Sequence, residues 1–124
     1  MEAILLLGHG SRAVGASEPM ERLGEMLQRR HPDRAVRVCH MELAEPTLEE
    51  TLERCALDGI RNVSVLPYFL HLGMHLREDI PTILETVRRR HPSLRVRLCP
   101  PLGFHEALLD ILEQRLPETL WQTP

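Results

Sequence analysis

An internal repeat constrains the fold of this chain more than any other feature of its sequence. Residues 29–39 read RRHPDRAVRVC, and residues 89–99 read RRHPSLRVRLC. The two segments are offset by 60 positions, so that His31 corresponds to His91. A match of this length in the same structural phase is typical of a duplicated supersecondary unit. With only two copies, the repeat predicts a pseudo-symmetric domain, with a cleft between equivalent loops, rather than a solenoid.

Strand-length apolar runs alternate with helical patterns along the chain. The first run, residues 3–7, is continuously apolar and ends at Gly8, as expected for a strand buried on both faces. The order βαβαβαβα predicts an α/β fold, a four-stranded parallel sheet with helices on both faces and right-handed crossovers. The predicted strands are 3–7, 35–41, 62–66 and 94–98, and the predicted helices are 18–30, 48–57, 79–90 and 106–116.

Length and composition fit one globular domain, residues 1–124, and exclude several functional classes. The net charge is −3, and acidic and basic residues are interspersed along the chain. The sequence therefore has no cluster of basic residues of the kind that binds nucleic acid. No apolar run approaches the ~20 residues that span a bilayer, and the first residues lack the features of a secretory signal. Three cysteines without a C-x-x-C pair suit reduced thiols. We therefore expect a cytoplasmic protein that binds neither membrane nor nucleic acid.

Polar side chains follow three of the predicted strands. His9 lies in a Gly-His-Gly turn after the first strand, Glu42 follows the second, and His71 and His75 follow the third. Ligands of open parallel sheets bind beyond the carboxyl ends of the strands, and imidazole with carboxylate suits Zn, Co, Fe or Ni in a site that exchanges metal. Hydrogen-bonded structural histidines are the alternative. The residue types alone leave both interpretations open.

His31, His91 and His105 are interpreted as structural, whereas His40 could face the site or the opposite side of the sheet. His31 and His91 precede prolines at helix ends, where they complement the helix dipole and mark the turn into the next strand. His105 begins the fourth helix. His40 ends the second strand, and the pleat directs its side chain away from that of Met41.

Four motifs resemble the short CbiX-type sirohydrochlorin chelatases. They are GHGSR (8–12), MELAEPTL (41–48), LPYFLHLGMHLREDIP (66–81) and PLGFHEALLDIL (101–112). The third is the most specific, because the family pattern P-x-F-L-x-x-G-x-H-x-x-x-D-I-P is met at every fixed position. The resemblance covers nearly the whole chain and implies insertion of a divalent metal into sirohydrochlorin, cobalt first, with iron or nickel as alternatives.

Residue by residue, the resemblance implies that His9 and His75 hold the metal and act in catalysis. Glu42 matches a glutamate that assists as a third metal ligand, and His71 falls at a variable place as a substrate contact. Short members of the family pair as homodimers, whereas longer relatives carry two such units in one chain. We therefore expect a homodimer.

The implied chemistry requires a site that releases its metal, acceptors for two pyrrole protons and room for a flat macrocycle. Imidazole, with an ordinary pKa of about 6.5, can serve as ligand and as proton acceptor. Because the substrate carries eight carboxylates, Arg12 and Arg77 are candidates to bind them bidentately, and Ser11 to add a hydrogen bond. The metal is a substrate, and no nucleotide or redox cofactor is expected.

Three other functions remain as alternatives. Residues 8–13, GHGSRA, also satisfy the dinucleotide fingerprint G-x-G-x-x-A, although the predicted helix starts too late and no acidic residue follows at the usual distance. A metal-binding or regulatory module without turnover would keep the same residues. A serine hydrolase is disfavoured because Gly10-Ser11-Arg12 is not a nucleophile elbow.

The pathway is a separate question that the sequence leaves open. The metallated product of the implied chelatase reaction could feed cobalamin, sirohaem or a nickel tetrapyrrole.

Overall fold

Four parallel strands form one sheet in the computed structural model, which describes residues 1–117 and 120–123. In chain order the strands are β1 (Glu2–Gly8), β2 (Ala35–His40), β3 (Asn62–Pro67) and β4 (Arg95–Leu98). They lie in the sheet in the order β2-β1-β3-β4, and every neighbouring pair is parallel. The predicted α/β fold is confirmed. The predicted domain, 1–124, extends beyond the described residues, and its unity stays a prediction.

Four helices connect and flank the strands: α1 (Glu18–Arg30), α2 (Leu48–Leu57), α3 (Met74–Arg90) and α4 (Ala107–Arg115). Thr47 caps α2, because its hydroxyl accepts a hydrogen bond from the Glu50 amide and the Glu50 carboxylate accepts one from the Thr47 amide. Within the part of the chain that is described, no helix is long and apolar enough to cross a membrane.

The two faces of the sheet are covered by different helices. Alternate residues of β1, Leu5 and Leu7, are fully buried in a core that also contains Leu52 of α2 and Ile80 of α3. The other face of β1 and β2 packs against α1, where Gly8 contacts the Met20 thioether so closely that a Cβ would overlap it. Burial on both faces explains why β1 reads as a continuous apolar run.

The start of α3 was predicted wrongly, because it begins at Met74 rather than at residue 79. A proline is usually found in the first helical turn, whereas here Pro81 lies inside the helix. Leu76 continues the apolar face of Ile80 one turn earlier and packs against the core. As a result His75 lies in the first turn of a helix, not in a loop.

Smaller differences concern the ends of other elements. Strand β2 ends at His40 instead of residue 41, β4 begins at Arg95 instead of residue 94, and α4 is one residue shorter than predicted at each end. In addition, β1 gains a residue at each end and β3 gains Pro67. Shifts of one or two residues are usual at frayed ends, and none of these moves a candidate site residue.

The sequence repeat is also a repeat of backbone geometry. His31 and His91 end α1 and α3 with nearly the same dihedral angles, φ −129°, ψ 65° and φ −131°, ψ 76°. Leu43 and Gly103, again 60 positions apart, both have positive φ, 64° and 57°. These pairs extend the duplication from the repeated segments into the loops after β2 and β4.

The same offset relates two hydrogen bonds at the carboxyl edge of the sheet. The Glu42 amide donates to the His9 carbonyl oxygen (3.1 Å), and the Leu102 amide donates to the Phe69 carbonyl oxygen (2.8 Å). Since the offset exchanges β1 with β3 and β2 with β4, the sheet has an approximate two-fold axis between β1 and β3. His9 and Phe69, which correspond under this axis, lie on either side of it.

Candidate active site

A cavity of about 660 Å³ opens beyond the carboxyl ends of β1 and β3, beside the first turns of α3. We call it the site cavity. Its titratable lining residues come from three separate loops and a helix start: His9, Glu42, His71, His75 and Asp79. Four of these five are candidate residues from the sequence, so the topology brings them to one place.

His9 is held by a tight turn that requires glycine after it. Gly10 has φ +96°, and a Cβ at this position would overlap the carbonyl oxygen of Glu42. This close approach keeps the loop after β1 against the loop after β2. The exposed His9 ring contacts Phe69 edge to face, with ring centroids 5.5 Å apart and an interplanar angle of 76°. Phe69 thereby limits the orientations open to the imidazole.

His75 and Asp79 lie one turn apart on α3 and both line the site cavity. Residues at i and i+4 share a helix face, so the carboxylate accompanies the imidazole at the cavity wall. Asp79 was not among the residues predicted for this site. The H-x-x-x-D spacing could have found it, but the predicted helix began at Asp79 and left His75 in a loop.

Glu42 reaches the cavity from the loop after β2, directly before Leu43 in its left-handed conformation. Met41 also lines the cavity, whereas His40 is buried on the opposite side of the sheet, among residues that face α1. The prediction that the pleat separates the two side chains is therefore confirmed.

The remaining candidate residues lie outside the site cavity. The Ser11 hydroxyl accepts a hydrogen bond from the Ala13 amide (3.1 Å), and Ser11 lines a neighbouring cavity. Arg12 and Arg77 are exposed, and neither forms part of the wall of the site cavity. Within residues 1–117 and 120–123, no three His, Cys, Asp or Glu side chains are grouped closely enough to hold a metal ion.

The family model for CbiX matches residues 3–119, which is almost the whole chain. The chain belongs to the CbiX family. It is 35% identical over 124 aligned positions to a sirohydrochlorin cobaltochelatase from Methanosarcina barkeri, covering 94% of this chain and 95% of that protein. It is 32% identical to a sirohydrochlorin ferrochelatase from Priestia megaterium, covering 96% of this chain but 45% of that protein.

Among solved structures, too, the chain matches part of a longer protein. The sirohydrochlorin chelatase SirB from Bacillus subtilis subspecies spizizenii, solved in complex with cobalt, matches with a TM-score of 0.81 at 31% identity. The match covers 93% of this chain and 49% of SirB. The chain therefore spans about half the length of the ferrochelatase and of SirB, and nearly the full length of the archaeal cobaltochelatase.

Proposed function

We propose that this chain inserts a divalent metal into sirohydrochlorin or a closely related tetrapyrrole, with cobalt as the first choice and iron or nickel as alternatives. The observation that carries the proposal is the convergence of His9, Glu42 and His75 on one cavity at the carboxyl edge of the sheet. Cobalt is favoured because the archaeal relative of matching length is a cobaltochelatase.

In the proposed mechanism His9 and His75 hold the incoming metal, and Glu42 assists. Two imidazoles leave coordination positions for water and for the pyrrole nitrogens. As the metal forms its bonds to the macrocycle, two pyrrole N–H bonds break. One proton passes to an imidazole nitrogen that the departing metal has freed, and the other passes to solvent water. No electron is transferred. Phe69, Met74 and Ile83 give the cavity an apolar wall for a flat ring, and His71 contacts the substrate.

Ser11, Arg12 and Arg77 are proposed to bind the carboxylates at the edge of the macrocycle. None of the three lines the site cavity, but Arg12 follows His9 by three residues and Arg77 follows His75 by two. This placement suits groups that contact the periphery of the substrate. Guanidinium groups bind carboxylates bidentately. Because Arg12 and Arg77 are exposed, neither charge has been removed from water in the free protein.

Insertion rates for wild type, His9→Ala and His75→Ala test the assignment, with Co²⁺, Fe²⁺ and Ni²⁺ supplied side by side. We expect each variant to lose at least about a hundredfold in rate. His31→Ala is the matched control, since His31 lies at the far end of α1. Unchanged rates in both variants would remove the assignment. Stoichiometric metal binding by wild type without faster insertion would favour the non-catalytic alternative.

We also propose that the chain forms a homodimer in the cytoplasm. None of the nine residues of α4 is buried, and Leu109, Ile111 and Leu112 are about half to two-thirds exposed. A helix this short is marginal without packing, and an apolar surface of this kind marks an interaction site. Two copies would also match the length of the two-unit relatives.

The oligomeric state tests this part of the proposal. Sedimentation of wild type at micromolar concentration should give a dimer, and Leu112→Glu should shift it to monomer. Leu57→Glu, at an exposed leucine of α2, is the control that should leave the dimer intact. A monomeric wild type would contradict the proposal.

A further inference from the structure

A second cavity, of about 350 Å³, lies on the other side of the His9 loop, at the N-terminus of α1. We call it the His40 cavity. It is lined by His9, Ser11, Ser17, Met20, His40 and Tyr68, among others. Since His9 and Phe69 line this cavity and the site cavity alike, the His9–Phe69 pair forms a ridge between the two.

His40 is the buried polar residue of the second cavity. Its side chain is only 4% exposed, and its Nδ1 atom is buried without a hydrogen-bond partner among the described residues. Nδ1 lies near the backbone of Gly8, 3.7 Å from the position that a Cβ on Gly8 would occupy. Buried polar atoms without a partner are few in folded proteins. An imidazole of this kind at a cavity wall points to a bound polar group.

The N-terminus of α1 adds a second attraction for a negative charge. Ser17 is the N-cap of this 13-residue helix, and its side chain forms no capping hydrogen bond. The first turn of a helix carries a partial positive charge, which favours anions. In α1 this charge, rather than a set of free amides, is the attraction, because the Glu18 amide donates to the Gly15 carbonyl oxygen (3.2 Å) and Pro19 has no amide hydrogen. The two acidic residues of this turn, Glu18 and Glu21, are exposed and do not line the cavity.

The duplication makes the His40 cavity the counterpart of the site cavity. Ser11 in the His40 cavity corresponds to His71 in the site cavity, and Pro19 corresponds to Asp79. The same offset of 60 residues makes His9 and Phe69 counterparts of each other, so the approximate two-fold axis passes through the ridge that they form. A flat ligand lying over this ridge therefore has a cavity beneath each of two opposite edges.

We propose that the His40 cavity receives one peripheral carboxylate of the tetrapyrrole while the macrocycle lies over the His9–Phe69 ridge. This inference rests on the proposed function and adds a binding position to it. The carboxylate is held by the polar wall of the cavity, to which His40 and Ser17 contribute, and by the positive end of α1. No bond is made or broken in this cavity, so its role is to position the substrate above the metal ligands.

Binding of metal-free uroporphyrin I, a macrocycle with eight carboxylates, tests the proposal through the variant Ser17→Asp. Aspartate is a favourable N-cap, so the helix is retained, while its charge repels a carboxylate in the cavity. We expect the Kd for uroporphyrin I, from fluorescence quenching, to rise about tenfold. The Kd for Co²⁺ should stay at its wild-type value, because Ser17 lines only the His40 cavity, whereas Glu42 and His75 line only the site cavity.

Thr47→Asp is the matched control, since it makes the same change at the N-cap of α2, outside both cavities. It should bind uroporphyrin I as wild type does. His40→Phe is the second variant, which keeps an aromatic ring and removes both nitrogens, and it should also weaken binding. Wild-type affinity in Ser17→Asp, or an equal loss in Thr47→Asp, would overturn the proposal.

Competition by inorganic phosphate distinguishes a substrate carboxylate from a free anion. Phosphate should compete with uroporphyrin I for wild type and less for Ser17→Asp. Equal competition in the two proteins would place the anion elsewhere and overturn the inference. If wild type binds uroporphyrin I by these criteria but does not insert metal, the proposed function fails while the carboxylate position stands.

Discussion

The two halves of the repeat share a backbone but carry different chemistry at the same positions. Where the first half has His9 and Glu42, the second has Phe69 and Leu102, although equivalent hydrogen bonds hold both pairs. Where the second half has His75, the first has Gly15. The comparison teaches that the duplication accounts for the scaffold and the adjacent strand ends, whereas the proposed metal ligands stand at positions that do not correspond between the two halves.

Exchanging the two residues of the ridge gives the largest expected effect. The double variant His9→Phe/Phe69→His keeps one imidazole and one phenyl ring in contact but moves the imidazole to the other strand. We expect insertion of Co²⁺ into sirohydrochlorin, followed by absorbance, to fall at least about a hundredfold, as for His9→Phe alone. Near wild-type rates in the double variant would mean that the two halves are interchangeable.

Gly10 and its counterpart Leu70 test the same asymmetry in the backbone. Gly10→Ala places a Cβ against the Glu42 carbonyl at positive φ, so the free energy of unfolding should fall by about 2 kcal/mol. Leu70 is 60% exposed, and Leu70→Ala should change stability little. Urea denaturation measures both. A tolerated Gly10→Ala would show that the His9 loop can move away from the Glu42 loop.

Different contacts hold the C-terminal ends of α1 and α3, and this difference predicts an effect of pH on stability. The Gln28 side chain donates to the carbonyl oxygens of His31 and Arg34, a neutral contact. In the second half His91 and Arg90 bind the Glu53 carboxylate at 2.6 and 2.7 Å, and these hydrogen bonds, His91 first, hold the pKa of Glu53 below its ordinary value of 4.5.

A carboxyl group with a lowered folded-state pKa adds stability above its unfolded pKa and loses it as the pH falls through the folded value. Wild type should therefore have a higher Tm than Glu53→Gln at neutral pH, by a few degrees at most because the pair is partly exposed. The difference should shrink as the pH falls below the ordinary glutamate pKa of 4.5 and disappear once the pH is below the lowered pKa of folded Glu53. Glu25→Gln, an exposed glutamate of α1, is the control. A difference that persists at low pH would assign the effect to packing.

The repeat-related thiols give the smallest effect. Burial raises the pKa of Cys39 to about 12, whereas Cys99 is only partly buried. The thiolate is the reactive form, so iodoacetamide at neutral pH should label Cys99 in the folded protein and Cys39 only after unfolding, as read by mass spectrometry. Equal labelling of the two thiols would contradict the burial of β2.

Much of the fold could be predicted because local pattern and burial agree. The apolar run of β1, the capping box at Thr47 and the repeated RRHP segments each have a local physical cause. The start of α3 could not be predicted in the same way. The first turn of α3 contains Leu76, which packs against the core. This tertiary contact outweighs the local preference for a helix that begins close to its proline, Pro81.

The sequence by itself determined the alternation of strands and helices, the duplication, and the placing of His9 and Glu42 after strands. The tertiary structure decided which strands are neighbours, and so that His9 contacts Phe69. It also decided that α3 begins at Met74, and so that Asp79 joins His75 on one helix face at the site cavity. The reason is physical. Hydrophobic periodicity and capping act over a few residues, whereas the meeting of strand ends depends on sheet order, which arises only when the whole core is packed.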